Sequence, residues 1–237
     1  MNRPRDDAVV SSARTALIGS IADALTAPRP RRRRRIGIDG RDGAGKTRFA
    51  DELATALVER RLEVVRATVD RFHNPREVRY HRGRGSAEGF YLDSYDLVSL
   101  RRLLLEPAGP DGDGRVVLGI HDVERDVAVV GEERVIPPGG VLLVDGIFLH
   151  RSELVEVWDA SVYLHVEPAI AVARCADRDD GEADIEAPSN ARYLGGQALY
   201  HERCHPEARA TWVVDNGDLA APRVVRRPAD GAVTRGR

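Results

Sequence analysis

Gly40-Arg41-Asp42-Gly43-Ala44-Gly45-Lys46-Thr47 decides how this chain folds. The octet meets the G-x-x-x-x-G-K-[ST] spacing at every position, a pattern in which glycines let backbone N–H groups turn toward an anion. Lys46 is the single lysine among 36 basic residues; all the others are arginine. Arginine is a planar fork and lysine a compact charge on a flexible stem, so a loop wrapped around phosphate oxygens has a physical reason to keep the ammonium. Upstream, Ile36-Gly37-Ile38-Asp39 is a short β-branched run suited to a buried strand. Downstream, Thr47 to Arg60 places Phe49, Leu53, Ala56 and Leu57 on one helical stripe. Strand, glycine loop and helix N-terminus in that order form a phosphate cradle, and the Thr47 hydroxyl can ligate Mg²⁺. Gly40, Asp42, Gly43, Ala44, Gly45, Lys46 and Thr47 are the residues expected to hold the phosphates of a nucleotide.

At 237 residues the chain suits one α/β domain with a sizeable core. Its two cysteines, Cys175 and Cys204, are too few and too poorly spaced for a disulfide framework, which makes a reducing cytoplasm the simplest setting. His201, Cys204 and His205 lack the second ligand pair that a zinc site needs. No apolar run reaches transmembrane length, so no membrane partner is expected. The net charge of -2 divides into +6 over residues 1–35 and -8 over the rest. The Arg29 to Arg35 run reads as a solvated linker, with nucleic acid the less favoured partner. Before it, Val10, Ala13, Leu17, Ile21 and Leu25 fall on one stripe, predicting an amphipathic helix that packs on the domain. The expected division is a helix and linker over 1–35, a domain over 36–218 and a tail over 219–237.

Leu62 to Val69 predicts a second strand ending in Asp70-Arg71-Phe72-His73, where open α/β sheets bind ligands. Residues 71–93 show neither helical nor strand period and read as a covering loop. Ser94 to Glu106 predicts a helix ended by Pro107, and the short β-like runs between Arg115 and Ile136 predict a small antiparallel appendage. Val141-Leu142-Leu143-Val144-Asp145 is a continuous apolar strand closed by a carboxylate able to hold Mg²⁺ directly or through water. A helix from Pro168 puts Arg174 and Arg178 on one face, ahead of a flap-like acidic stretch, a helix over 190–203 and a last strand at Thr211 to Asn216.

Switch GTPases read guanine with an Asn-Lys-x-Asp element, which a chain with one committed lysine cannot contain. A small-molecule kinase needs a donor loop, Mg²⁺ ligands, a base for the acceptor hydroxyl and arginines to neutralise charge. Each has a candidate here. From about Ile36 to Asn216 the chain resembles the uridine kinase and phosphoribulokinase group of phosphate-loop kinases. The resemblance rests on the octet, on Asp70-Arg71-Phe72-His73 for that group's Asp-Ser-Phe-Tyr-like element, and on Asp93-Ser94-Tyr95-Asp96 for its Asp-Ala-Phe-Asp. It also rests on Val144-Asp145-Gly146-Ile147, on Arg174 with Arg178-Asp179, and on Tyr193, Gln197, Tyr200 and Pro206.

The resemblance implies a parallel sheet of order 2-3-1-4-5 with helices on both faces and Asp70 as the base. Lys46, Arg174 and Arg178 would act on the transferring group, and Thr47, Asp145 and Asp70 would share the metal's environment. Phe72, Tyr91, Asp93, His121 and Gln197 are the expected acceptor contacts. The chain departs from uridine kinases at Phe90, where they carry a ribose-binding Asp, and at His121-Asp122-Val123, where they carry Tyr-Asp-Phe. The expectation is an ATP- and Mg²⁺-dependent kinase acting on a small nucleoside-like or sugar-like acceptor, with homo-oligomerisation left open. The alternative is a regulatory ATPase acting through a protein partner, and deletion of residues 1–35 is expected to separate the two by sparing a kinase.

Overall fold

Every residue of Val141–Asp145 is buried, as a strand covered on both faces requires. The structure is a computed structural model that describes residues 11–26 and 32–227. Its strands are β1 (Arg34–Gly40), β2 (Val64–Thr68), β3 (Arg115–Val117), β4 (His121–Asp122), β5 (Val127–Ala128), β6 (Glu133–Val135), β7 (Val141–Asp145), β8 (Ala160–His165), β9 (Trp212–Asp215) and β10 (Arg223–Arg226). Its helices are α1 (Ser12–Leu25), α2 (Lys46–Glu59), α3 (Arg76–Arg79), α4 (Ala87–Asp93), α5 (Leu97–Leu100), α6 (Pro168–Asp179), α7 (Pro188–Cys204) and α8 (Pro206–Arg209).

The main sheet runs β10-β9-β8-β1-β7-β2. Its first five strands in chain order pair parallel, and counted alone they give the expected order 2-3-1-4-5. β10 adds an antiparallel edge strand from a segment that reads as tail in the sequence. Two small antiparallel sheets, β3-β6 and β4-β5, form the appendage.

A hydrophobic cluster fills each face of the sheet. One joins Ile36 and Ile38 to Phe49, Leu53 and Leu57 of α2 and to Leu17, Ile18, Ile21 and Leu25 of α1. Burying each of those α1 side chains contributes about 1.5–3 kcal/mol. Arg14 of α1 is also buried, at 1% exposure, and bonds to Glu52 (2.6 Å) and Asn216 (3.0 Å). The N-terminal helix is therefore part of the core, and Arg34 and Arg35 already belong to β1. Removing residues 1–35 would take away a core helix and the start of the central strand, so that deletion cannot separate a kinase from a partner-dependent ATPase. Arg32 and Arg35 bond to Asp159, and Arg33 caps carbonyls at Gly112, Asp113 and Ile136. Val10 and Arg29 to Arg31 lie outside the described residues.

The other cluster gathers Phe72, Phe90, Tyr91, Leu100, Phe148, Tyr163 and Tyr200. It organises residues 71–93, in which the short helices α3 and α4 are joined by turns where the sequence reads as one continuous loop. Each helix is too short for a period to emerge. Ser86 caps α4 by accepting from the Gly89 amide (2.9 Å), and α4 packs on α7 where Gly195 and Gly196 let Ala87 and Phe90 approach. The next helix begins at Leu97, because the Asp96 carboxylate caps it by accepting from Ser99 N, and it passes into a π-helical turn over Arg101–Leu105.

Candidate active site

The glycine loop joins β1 to α2 in a conformation that few side chains tolerate. Gly43 (φ +75°) and Gly45 (φ +82°) are left-handed, and a Cβ on Gly43 would stand 2.2 Å from the Ala171 carbonyl oxygen. The loop is braced from below: Asn216 Nδ2 donates to the Ala44 carbonyl at 2.7 Å, and Arg14 holds Asn216. Asp39, just before the loop, is fully buried and accepts from the Gly40 amide (2.7 Å), the Tyr200 hydroxyl and the His150 ring (2.6 Å). His150 continues to Ser161 at 2.8 Å, so the loop's entry is tied to both β8 and α7.

Lys46 Nζ donates to the Arg41 carbonyl across the loop at 2.9 Å. Thr47 Oγ1 donates to Asp145 Oδ2 at 2.7 Å, and Arg66 reaches Asp145 Oδ1 at 3.0 Å. A hydroxyl from the first turn of α2 meeting a carboxylate at the end of β7 supplies the oxygen donors that Mg²⁺ takes alongside phosphate and water. The residues present thus fit both groups. Among the described residues no cluster of three or more His, Cys, Asp or Glu could hold a metal unaided.

Asp70 follows β2 in a 3₁₀ turn over Val69–Phe72. It lines a cavity of about 530 Å³ shared with Lys46, His73, Tyr95 and Arg178. The Tyr95 hydroxyl donates to Asp70 Oδ1 at 2.9 Å, and burial pushes the Tyr95 phenol well above its ordinary value, with Asp70 adding to the rise. The His73 ring packs at a tilt against Tyr95, with centroids 4.5 Å apart, and bonds to the Asp70 carbonyl. Burial lowers the His73 imidazole, against the pull of Asp70.

Arg174 and Arg178 share α6 but point to different duties. Arg174 donates to the carbonyls of Asn216 and Gly217, and burial lowers its guanidinium. Arg178 lies in the cavity wall beside Asp42 (3.4 Å) and Asp179 (2.7 Å), and its bond to Asp179 raises it.

The five residues expected to contact the acceptor do not line this cavity. Phe72 is fully buried in the core, and Tyr91 bonds to Cys204 at 3.2 Å behind Phe148. Asp93 pairs with Arg82 (2.9 Å), and His121 bonds to Asp126 (3.2 Å) at 4% exposure. Gln197 lines a second cavity of about 450 Å³ between α6 and α7, beside Cys175, whose thiol burial pushes up to about 11. The cavity beside Asp70 is walled by Arg79, Tyr80, Phe90, Ile147, Arg192 and Tyr193. Of these the resemblance marks Tyr193, and Phe90 as a departure, whereas Arg79 and Arg192 carry no signal among so many arginines.

The sheet order, the glycine loop opening α2 and the carboxylate closing β7 define the phosphate-loop kinase fold. Solved structures of kinases share it. The chain is similar to a possible uridine kinase from Bacillus stearothermophilus, with a TM-score of 0.66 at 23% identity over 83% of this chain and 96% of that one. A candidate fructose transport system kinase from Silicibacter sp. TM1040 superposes with a TM-score of 0.60 at 23% identity, covering 79% of this chain and 93% of the other. D-glycerate 3-kinase from Cryptococcus neoformans gives 0.53 at 13% identity, covering 89% and 97%. At these identities the likeness is one of fold. No protein-family model matches the sequence. No curated protein matches it either.

Proposed function

We propose that this protein transfers the γ-phosphoryl group of ATP to a hydroxyl of a small molecule of nucleoside or sugar size. The observation that carries the proposal is that Lys46, Asp70 and Arg178 line one cavity at the strand ends, next to the Thr47–Asp145 pair. The loop amides, Lys46 and Thr47 bind the donor phosphates. Thr47 and Asp145 would hold Mg²⁺, which neutralises phosphate charge when bound. Asp70 orients the acceptor hydroxyl and takes its proton as the acceptor oxygen bonds to the γ-phosphorus and the bond to the β-phosphate bridging oxygen breaks. A loose transition state asks little of that base beyond position, which Tyr95 secures. Arg178 moves from its carboxylate partners toward the equatorial oxygens and helps to exclude water.

The two free thiols, Cys175 and Cys204, agree with a reducing cytoplasm. Among the described residues no helix is long and apolar enough to cross a membrane. A coupled ADP-release assay with Mg²⁺-ATP against nucleosides, pantothenate and sugars, run beside Asp70→Asn, tests the proposal. Turnover on an acceptor that is lost in the variant supports it, and turnover indifferent to Asp70 contradicts it.

A further inference from the structure

The wall of the cavity formed by α7 holds a positive charge that no described residue neutralises. Arg192 is 6% exposed, and its guanidinium donates only to carbonyl oxygens, those of Arg84 (2.9 Å) and Arg79 (3.3 Å). It lies over the rings of Tyr80 (4.7 Å) and Phe90 (5.6 Å), and among the described residues no carboxylate pairs with it. Arg79 stands beside it at 9% exposure. Its one carboxylate partner, Asp126 (3.2 Å), is shared with the Arg76 amide and His121, and its buried Nε has no hydrogen-bond partner.

Other carboxylates of the cavity are engaged or outside. Asp42 and Asp179 face Arg178, Asp70 accepts from Tyr95, and Glu124 is exposed at the mouth. A guanidinium nine-tenths buried without a counter-charge is costly, and a neutral ligand that expelled the remaining water would add to the cost. A ligand bearing a carboxylate or phosphate would offset it, because the planar fork matches both anions.

We infer that the acceptor is an anionic hydroxy compound, its carboxylate or phosphate held by Arg192 with Arg79 while its hydroxyl reaches Asp70. This rests on the proposed kinase activity for the role of the ligand, but the anion site itself stands on the arginines. It excludes free nucleosides and unmodified sugars as the preferred acceptors.

The test uses the full chain and three sets of compounds matched in skeleton: glycerol and ribose; glycerate and ribonate; glycerol 3-phosphate and ribose 5-phosphate. ADP release from Mg²⁺-ATP is expected only in one of the two charged sets, which names the anion. With that acceptor Arg192→Gln is expected to raise KM about tenfold or more with a smaller change in kcat, and Arg192→Lys, which keeps the charge but not the fork, to recover part of the loss. Neutral compounds turned over as efficiently as their charged partners would overturn the inference and leave the kinase standing.

Should no compound be turned over, a binding measurement still decides. With a non-hydrolysable ATP analogue and Mg²⁺ filling the donor site, orthophosphate or malonate is expected to raise the melting temperature of the wild-type chain. The rise should be lost in Arg192→Gln and reduced in Arg79→Gln, with circular dichroism confirming that both fold. No rise in the wild type, or an equal rise in the variants, would overturn the anion site.

Discussion

The Tyr95 hydroxyl donates to Asp70 Oδ1 at 2.9 Å, from a side chain only 5% exposed. Because burial and the neighbouring carboxylate raise the phenol, its proton stays on Tyr95 through the neutral range and the bond keeps one direction. One carboxylate oxygen is thereby fixed, and in the proposed reaction the other would receive the acceptor hydroxyl.

Separable losses follow at the three positions. Asp70→Asn should lower kcat by about 10²–10⁴ while leaving nucleotide binding nearly intact. Lys46→Ala should abolish transfer and weaken nucleotide binding. Tyr95→Phe should fold normally and lose about tenfold in kcat, the worth of one hydrogen bond to a charged group. Steady-state kinetics with nucleotide titrations check all three, and equal loss of nucleotide binding in Asp70→Asn and Lys46→Ala would contradict the roles.

The N-terminal helix should be indispensable to the fold. Arg14→Ala leaves Glu52 paired with Arg48 alone and unbraces Asn216, with an expected cost of about 1.5–3 kcal/mol, the scale of a lost hydrogen bond to a charged group. Thermal unfolding measures this. A chain lacking residues 1–26 that melts like the full chain would refute the place given to α1.

Gly43→Ala tests the loop. At φ +75°, with the Ala171 carbonyl 2.2 Å from the added Cβ, the substitution must displace either the loop or the start of α6. Nucleotide affinity is expected to fall at least tenfold, and calorimetry with ATP would show it.

Acid should act through His73. Burial lowers its imidazole below the ordinary value of 6.5, so between the lowered and the ordinary value the unfolded chain binds the extra proton and stability rises with pH. Its contribution is therefore full above about 6.5 and lost as pH falls below that value. Groups that bear on it are Asp70, Arg79 and His121. Proton NMR of the His73 ring should give a midpoint below 6.5, and His73→Phe should flatten the fall in stability through that window.

Much of this fold was open to reading because its signals are local. The octet sets its loop through glycine conformations and one lysine, Val141 to Asp145 is apolar throughout, and the helices after Thr47 and Pro168 carry clear periods. The cavity wall beside Asp70 was not. α3 and α4 are one or two turns each, so no period marks them, and their place is set by packing on α7 across about a hundred residues of sequence. Arg14 is a polar residue on a buried face, meaningful only once Glu52 and Asn216 are brought to it. Resemblance put Tyr91 and His121 at the acceptor, but their partners here, Cys204 and Asp126, draw both into the protein.

The most direct test of the central claim is to follow the γ-phosphoryl group itself. ATP labelled at the γ-phosphorus would be incubated with the protein, Mg²⁺ and a small-molecule extract of cells, beside Asp70→Asn. Label is expected to be transferred to a small organic compound by the wild type and not by the variant. Label released only as orthophosphate, equally by both proteins, would contradict it and point to a nucleotide hydrolase.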